Sequence, residues 1–287
     1  MRMRNEVVRG SGRSIPVYLR TTLAVVLFLS VAVCRAGAWG WEGHIIVARI
    51  AEQHLTAKAK AGIAQLLGPD RKIEDTAVAS WPDNIRPDRP ETGPWHYVDI
   101  PFDATGYDAS RDCPSGQCVV AQLEHFAEVL ADTNATTVSR AEALRFVVHF
   151  VGDMHQPLHC AERNHDKGGN LVKVTLLSDP RVVNLHTVWD TFLIRHYLGG
   201  EDVVQYADQL NAKITPQEMK EWSAGSIPDW AWESHEQAVA HTYVGVPIQS
   251  TPVNLDEQYV ATNRAVVETQ LMRGGVRLAV LLNKAFP

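Results

Sequence analysis

Cysteine is scarce in this chain, four in 287 residues, which excludes a disulfide-dense scaffold. Positive charge is in deficit, with 27 Lys and Arg against 33 Asp and Glu and a formal charge of −6. No apolar run reaches the length of a bilayer span. The run 23–33 follows Arg2, Arg4, Arg9, Arg13 and Arg20 and is closed by Ala36-Gly37-Ala38, the charged, apolar, small-residue order of an export leader. Residues 1–38 are therefore expected to be a cleaved signal peptide. The product would be secreted or periplasmic, without stable membrane association, and would begin at Trp39. Loss of six Arg and one Glu moves the formal charge by −5, from −6 to −11. So acidic a chain does not hold nucleic acid through a broad basic face. No Pro/Gly/Ser-rich linker, repeat or low-complexity tract divides residues 39–287, so one domain with a sizeable core is predicted there.

Strand periodicity is also sparse. Helical spacing of apolar residues covers 45–55, 57–67 (with Thr56 as a cap), 119–131, 140–155, 185–198, 202–212, 216–224, 229–242 and 256–284. The Val-rich run 171–177, after Gly168-Gly169-Asn170, is the one strand candidate and is predicted to pair in a hairpin. The expected fold class is all-α: a single compact multi-helix domain with one small β-hairpin. The stretch 68–112 reads as a long loop, a length that usually carries function. Cys113 and Cys118 enclose Pro-Ser-Gly-Gln and can close a small disulfide loop in an oxidising compartment. Cys160 is then left as a small buried filler.

The residues that suit chemistry are histidines and aspartates at helical spacing. In H-F-V-G-D-M-H-Q-P-L-H, His149 and Asp153 are four apart and share one helix face, and Pro157 ends the helix and lets His159 turn away. His155, six residues from His149, is expected to be exposed. N-L-H-T-V-W-D repeats the device with His186 and Asp190. The apolar neighbours Phe146, Phe150, Val188 and Trp189 imply burial, and buried ionisable groups need partners or a metal. The long loop adds Asp83 with Arg86, and His96 with Asp99. Imidazole and carboxylate suit zinc, and a guanidinium suits phosphate oxygens. The other reading of that loop is structural, with Asp83 capping a helix and Trp81 and Trp95 pinning the chain. At the expected new terminus, W-G-W-E-G-H leads from Trp39 to His44. A freed α-amine has an unperturbed pKa of about 8 and becomes available as a metal ligand. His54, His125, His165, His196, His235 and His241 have no comparable setting, and Trp222, Trp230 and Trp232 are expected in the core.

These segments, in this order and over essentially all of residues 39–287, resemble the secreted zinc-dependent single-strand nucleases of the S-one and P-one type, related in fold to zinc phospholipases C. The resemblance implies three Zn2+. One is held by Asp83, His96, His149 and Asp153. A second is held by His44, Asp153 and the amino nitrogen and carbonyl oxygen of Trp39, and a third by His159, His186 and Asp190. Three such ions against three aspartates leave the pocket positive by about three charges. It further implies hydrolysis of single-stranded DNA and RNA to 5′-phosphate products, and of 3′-nucleotides. Asp99 would orient or deprotonate the attacking water, and Arg86 would stabilise charge on phosphoryl oxygens. Tyr97, where relatives often carry Phe, would stack on a base that a duplex cannot release, and Gly168, Gly169 and Asn170 would face the base edge. A monomer is expected. The rival readings are a zinc phospholipase C and a non-catalytic zinc-binding protein; Asp190, Arg86, Asp99 and the G-G-N segment speak against them.

Overall fold

In the computed structural model the described residues are 39–287, so the expected leader and its cleavage site lie outside the described residues. In chain order, helices α1 (Trp41–Gln53) and α2 (Ala57–Leu67) lead into the short helices α3 (Thr76–Ala79) and α4 (Trp81–Ile85). A 3-10 turn, Pro90–His96, and α5 (Ala109–Asp112) follow. Helices α6 (Val119–Ala131) and α7 (Thr137–Met154) precede strands β1 (Lys173–Leu176) and β2 (Asp179–Asn184). The remainder is α8 (Leu185–Thr187), a wide π-type turn Val188–Phe192, α9 (Leu193–Leu198), α10 (Val203–Lys213), α11 (Pro216–Trp222), α12 (Ile227–Gln237), β3 (Val253–Leu255) and α13 (Glu257–Ala285). Among the described residues no helix is long and apolar enough to cross a membrane.

Helix α7 sits at the centre. Thr136 caps its start by accepting from Ser139 N at 3.1 Å, and every residue from Phe146 to Ala161 is buried. A helix that is apolar on all sides can exist only with neighbours all round. Those are α6, α1 and α13, with α2, α3 and α4 closing further sides. Phe126 of α6 stacks on Phe146 at 4.2 Å between ring centroids. The 29-residue α13, capped by Asp256 accepting from Tyr259 N, runs along α1 and α7.

The mostly helical class holds, with three local differences from the sequence expectation. The stretch 68–112 is not a bare loop, because α3, α4, the 3-10 turn and α5 lie in it. The hairpin of β1 and β2 gains a third strand, in the order β2-β1-β3. β1 runs antiparallel to β2 and parallel to β3, with Val174 opposite both Val183 and Val253. β3 is only three residues long and falls in a polar stretch, too short for alternation to reveal it. Cys113 and Cys118 are joined by a disulfide with Cα atoms 5.4 Å apart, and Cys160 is free and buried.

The third difference is His155, which is fully buried. Its Nδ1–H donates to Val151 O at 2.7 Å, and its Nε2 accepts from Arg277 Nη1 at 3.0 Å. Burial and the Arg277 charge hold this imidazole well below its ordinary pKa, so it is neutral. Arg277, itself 2% exposed, also donates to Trp222 O at 3.1 Å and pairs with Glu233. Gln270 of the same helix donates to His155 O and Ser234 Oγ. This network clamps the end of α7, where the candidate ligands sit. Arg277→Met would strand two buried acceptors and a half-buried carboxylate. The expected loss is about 2–4 kcal/mol, read as a fall of roughly 5–15 °C in Tm for metal-free protein. An unchanged Tm would show that the clamp is idle.

Candidate metal centre and cleft

Three groups of His and Asp place ligand atoms within 4.8 Å of one another: His44, His149 and Asp153; Asp83, His96 and His149; and His159, His186 and Asp190. Their members come from several parts of the chain. His44 projects from the first turn and a half of α1, and Asp83 from α4. His96 ends the 3-10 turn, while His149 and Asp153 share a face of α7. His159 lies in the turn Pro157–Cys160 that Pro157 starts. His186 and Asp190 span α8 and the π-type turn, which still keeps them on one side. Trp39 is completely buried, and the next residue, Gly40, donates its N–H to Asp190 O at 2.6 Å. That bond brings the start of the described chain to the third group.

The hydrogen bonds fix which ring nitrogen faces inward. His149, His159 and His186 each donate Nδ1–H to a main-chain carbonyl, of Ala79, His96 and Gly168 respectively, all at 2.7 Å. A carbonyl can only accept, so Nδ1 carries a proton in all three and Nε2 is the atom turned inward; at His159 and His186, where burial lowers the pKa, that Nε2 presents a lone pair. Yet His159 Nε2 and His186 Nε2 face each other at 3.0 Å, with Asp190 oxygens 3.6 and 3.3 Å away. His149 Nε2 faces His96 Nδ1 at 3.1 Å, and Asp153 Oδ2 is 3.3 and 2.9 Å from them. Both ring nitrogens of His44, His96 Nε2 and Asp153 Oδ1 are buried without a hydrogen-bond partner. Imidazole nitrogens and carboxylates converging in a buried space form a site that a cation can fill. Ligand atoms on a tetrahedron with arms of 2.0–2.1 Å stand about 3.3 Å apart, and these separations bracket that value. The donor set fits zinc.

The protonation states divide the centre in two. Burial opposes the charge on His149, but Asp153 and Asp83 raise its pKa to about 9. Burial and the His149 charge lower that of His44 to about 4. Burial works against ionised Asp153 too, and is outweighed by His149, His44 and His96, which hold it well below the usual carboxylate range. At Asp190 burial wins over His186 and Gln156, and its pKa lies well above that range. The third group is thus neutral until a cation displaces a proton.

A cavity of about 360 Å³ opens beside these groups, lined by His96, His159 and His186 together with Arg86, Tyr97, Asp99, Leu158, Glu162, Lys167, Gly168 and Asn170. Arg86 Nη1 is 3.4 Å from Asp83 Oδ1. Tyr97 is 39% exposed, which leaves a ring face for a ligand. Gly169, expected at the base edge, does not line the cavity. It is buried and donates its N–H to Asp166 Oδ1. The side-chain amide of Asn170 donates to Lys167 O at 2.8 Å, so part of its capacity is spent within its own loop. Gln156 escaped the sequence reading, although it stands inside the quoted motif. Its Nε2 donates to Asp190 Oδ1 at 2.5 Å and its Oε1 accepts from Leu158 N. Asp166 was missed as well, since a single aspartate before a glycine pair has no periodic signal.

One backbone position is decisive. A Cβ on Gly152 would fall 2.6 Å from His44 Nδ1, and its lack lets the His44 ring stack on His149 with centroids 3.9 Å apart. Gly152→Ala is therefore expected to displace His44, lowering bound zinc per chain and weakening its retention about tenfold or more, with the helical circular dichroism intact. Zinc content equal to that of the unsubstituted protein would refute this close approach.

Comparison with known proteins agrees with this geometry. The sequence profile of the family described as S1/P1 Nuclease matches residues 39–287. Endonuclease 4 of Arabidopsis thaliana is 32% identical over 93% of this chain and 96% of its own length. Nuclease S1 of Aspergillus oryzae is 31% identical over 85% of this chain and 91% of its own. Nuclease P1 of Penicillium citrinum is 28% identical over 86% and 97%. With the profile spanning every described residue, the chain belongs to the S1/P1 nuclease family, hydrolases that act on phosphodiester bonds.

Proposed function

We propose that the protein is a secreted or periplasmic trinuclear-zinc nuclease that cleaves single-stranded DNA and RNA to 5′-phosphate products and also removes phosphate from 3′-nucleotides, acting as a monomer that begins at Trp39. The observation that carries this reading is the convergence of imidazole nitrogens and aspartates beside a cavity that also holds Arg86 and Tyr97. Asp83, His96, His149 and Asp153 would hold one ion. His44, Asp153 and the terminal nitrogen and carbonyl oxygen of Trp39 would hold the second, and His159, His186 and Asp190 the third. When bound, zinc supplies Lewis acidity to phosphoryl oxygens and brings the ionisation of water to about pH 7. Arg86 places a guanidinium where charge grows on the phosphoryl group. Gln156 holds Asp190 in orientation. Tyr97 offers its ring to a base that has left the stack, which a single strand permits and a duplex resists.

The direct test uses zinc-loaded protein starting at Trp39. Single-stranded DNA and RNA should be degraded to 5′-phosphate products, and duplex DNA at about one-hundredth of that rate or less. One extra residue ahead of Trp39 should reduce both zinc retention and rate. Zinc-saturated protein that leaves single strands intact would overturn the reading.

Two roles are open to Asp99, the sequence expectation of a water-orienting group and a hydrogen-bond acceptor for substrate. Its charged neighbours favour the second. Burial, then Glu162 and Asp166, raise its pKa to about 6, and Lys167 opposes them; Asp99 lines the same cavity as Asn170. An ionised Asp99 accepts a base N–H; protonation removes that acceptor. KM should therefore rise as pH falls through the Asp99 midpoint, at or below about 6 because bound cations lower it further. Asp99→Asn should raise KM about tenfold, hold kcat within a few-fold and flatten this acidic limb. A loss of about a thousandfold in kcat on every substrate would instead assign Asp99 to the proton of the attacking water.

A further inference from the structure

Between Arg163 and Leu171 the backbone turns left-handed at five of six consecutive residues: Asn164 (φ +53°), His165 (+59°), Lys167 (+56°), Gly168 (+58°) and Gly169 (+79°). Three of these carry side chains and are strained in that region, a condition that persists only where the surroundings enforce it and that clusters at functional sites. Asp166 enforces it here. Its carboxylate is 8% exposed; Oδ1 accepts from Arg163 N and Gly169 N, both at 3.1 Å, and Oδ2 from Tyr243 OH at 2.8 Å. Arg163 lies over the Tyr243 ring at 4.0 Å and donates to Val246 O. The Lys167 carbonyl is turned inward, accepting from the backbone and side chain of Asn170. The Lys167 residue itself is exposed and lines the cavity. A Cβ on Gly168 would strike Leu158 O at 2.4 Å, so only glycine fits at that point of the loop.

Charge then decides what such a loop presents. Arg86 and Lys167 are the two Lys or Arg residues lining the cavity. Arg86 stands at Asp83, beside the metal-binding groups, whereas at Asp99 the charges of both Glu162 and Lys167 are felt, so that part of the cavity holds two carboxylates and one ammonium. A phosphate entering that part meets two carboxylates and needs a cation to offset them. We propose that Lys167 receives the phosphate of the nucleotide next to the scissile bond, so that this loop favours polynucleotides over mononucleotides. The inference rests on the nuclease reading above.

Lys167→Gln and Lys167→Arg would be compared with the unsubstituted protein, zinc-loaded, on an eight-residue oligothymidylate and on adenosine 3′-phosphate over a range of sodium chloride. The Gln variant should raise KM for the oligonucleotide about five- to tenfold and reduce the slope of log(1/KM) against log salt by about 0.7, the value for one single-strand phosphate contact. Hydrolysis of adenosine 3′-phosphate, which offers one phosphate, should change less than twofold, and the Arg variant should stay close to the unsubstituted protein on both. An unchanged oligonucleotide KM and salt slope would overturn the proposal. So would an equal loss on both substrates, which would put Lys167 at the scissile group. Failure of the unsubstituted protein on both substrates would refute the nuclease reading itself.

Discussion

Asp153 is a carboxylate with no exposed surface at all, and it stands within 3.4 Å of three imidazoles from three separate stretches of chain. An ionised group in that position is tolerable only if positive charge converges on it. Much of the architecture serves this condition. The half of α7 from Phe146 onward is buried all round, which places Asp153 where water cannot reach. Helix α1 then has to bring His44 against it, and the 3-10 turn has to bring His96. That covered half of α7 is both the hydrophobic centre of the domain and the rod on which the charged centre is mounted.

The second carboxylate centre works in the opposite sense. Asp190 has fewer imidazoles to draw on, so burial keeps its proton in the absence of a cation. Its carbonyl meanwhile receives Gly40 N–H, and its carboxylate receives Gln156. One residue thus joins the first residues of the described chain, the end of α7 and the π-type turn. A disturbance at any of the three would be felt at the other two, because the bonds share an anchor without slack.

Helical spacing in the sequence shows the pairs His149 with Asp153 and His186 with Asp190, since four residues is about one turn. It also shows the burial of their helix through Phe146 and Phe150. It does not show that His155 is buried, because the reason lies with Arg277, 122 residues away; nothing local distinguishes that histidine from a solvent-facing one. The same limit explains Gly169, whose neighbours in sequence suggest a ligand-facing loop while Asp166 draws its N–H inward. β3 was hidden because its pairing partner β1, not its own alternation, makes it a strand.

Three candidate metal ligands owe their tautomer to main-chain oxygens, those of Ala79, His96 and Gly168. Every amino acid supplies such an oxygen. Replacement of a neighbouring side chain can therefore alter the shape of the surroundings without deleting the acceptor that orients the imidazole, provided the backbone keeps its path. A centre oriented in this way depends on the course of the chain more than on the identity of its supporting residues. It can outlast extensive drift in sequence.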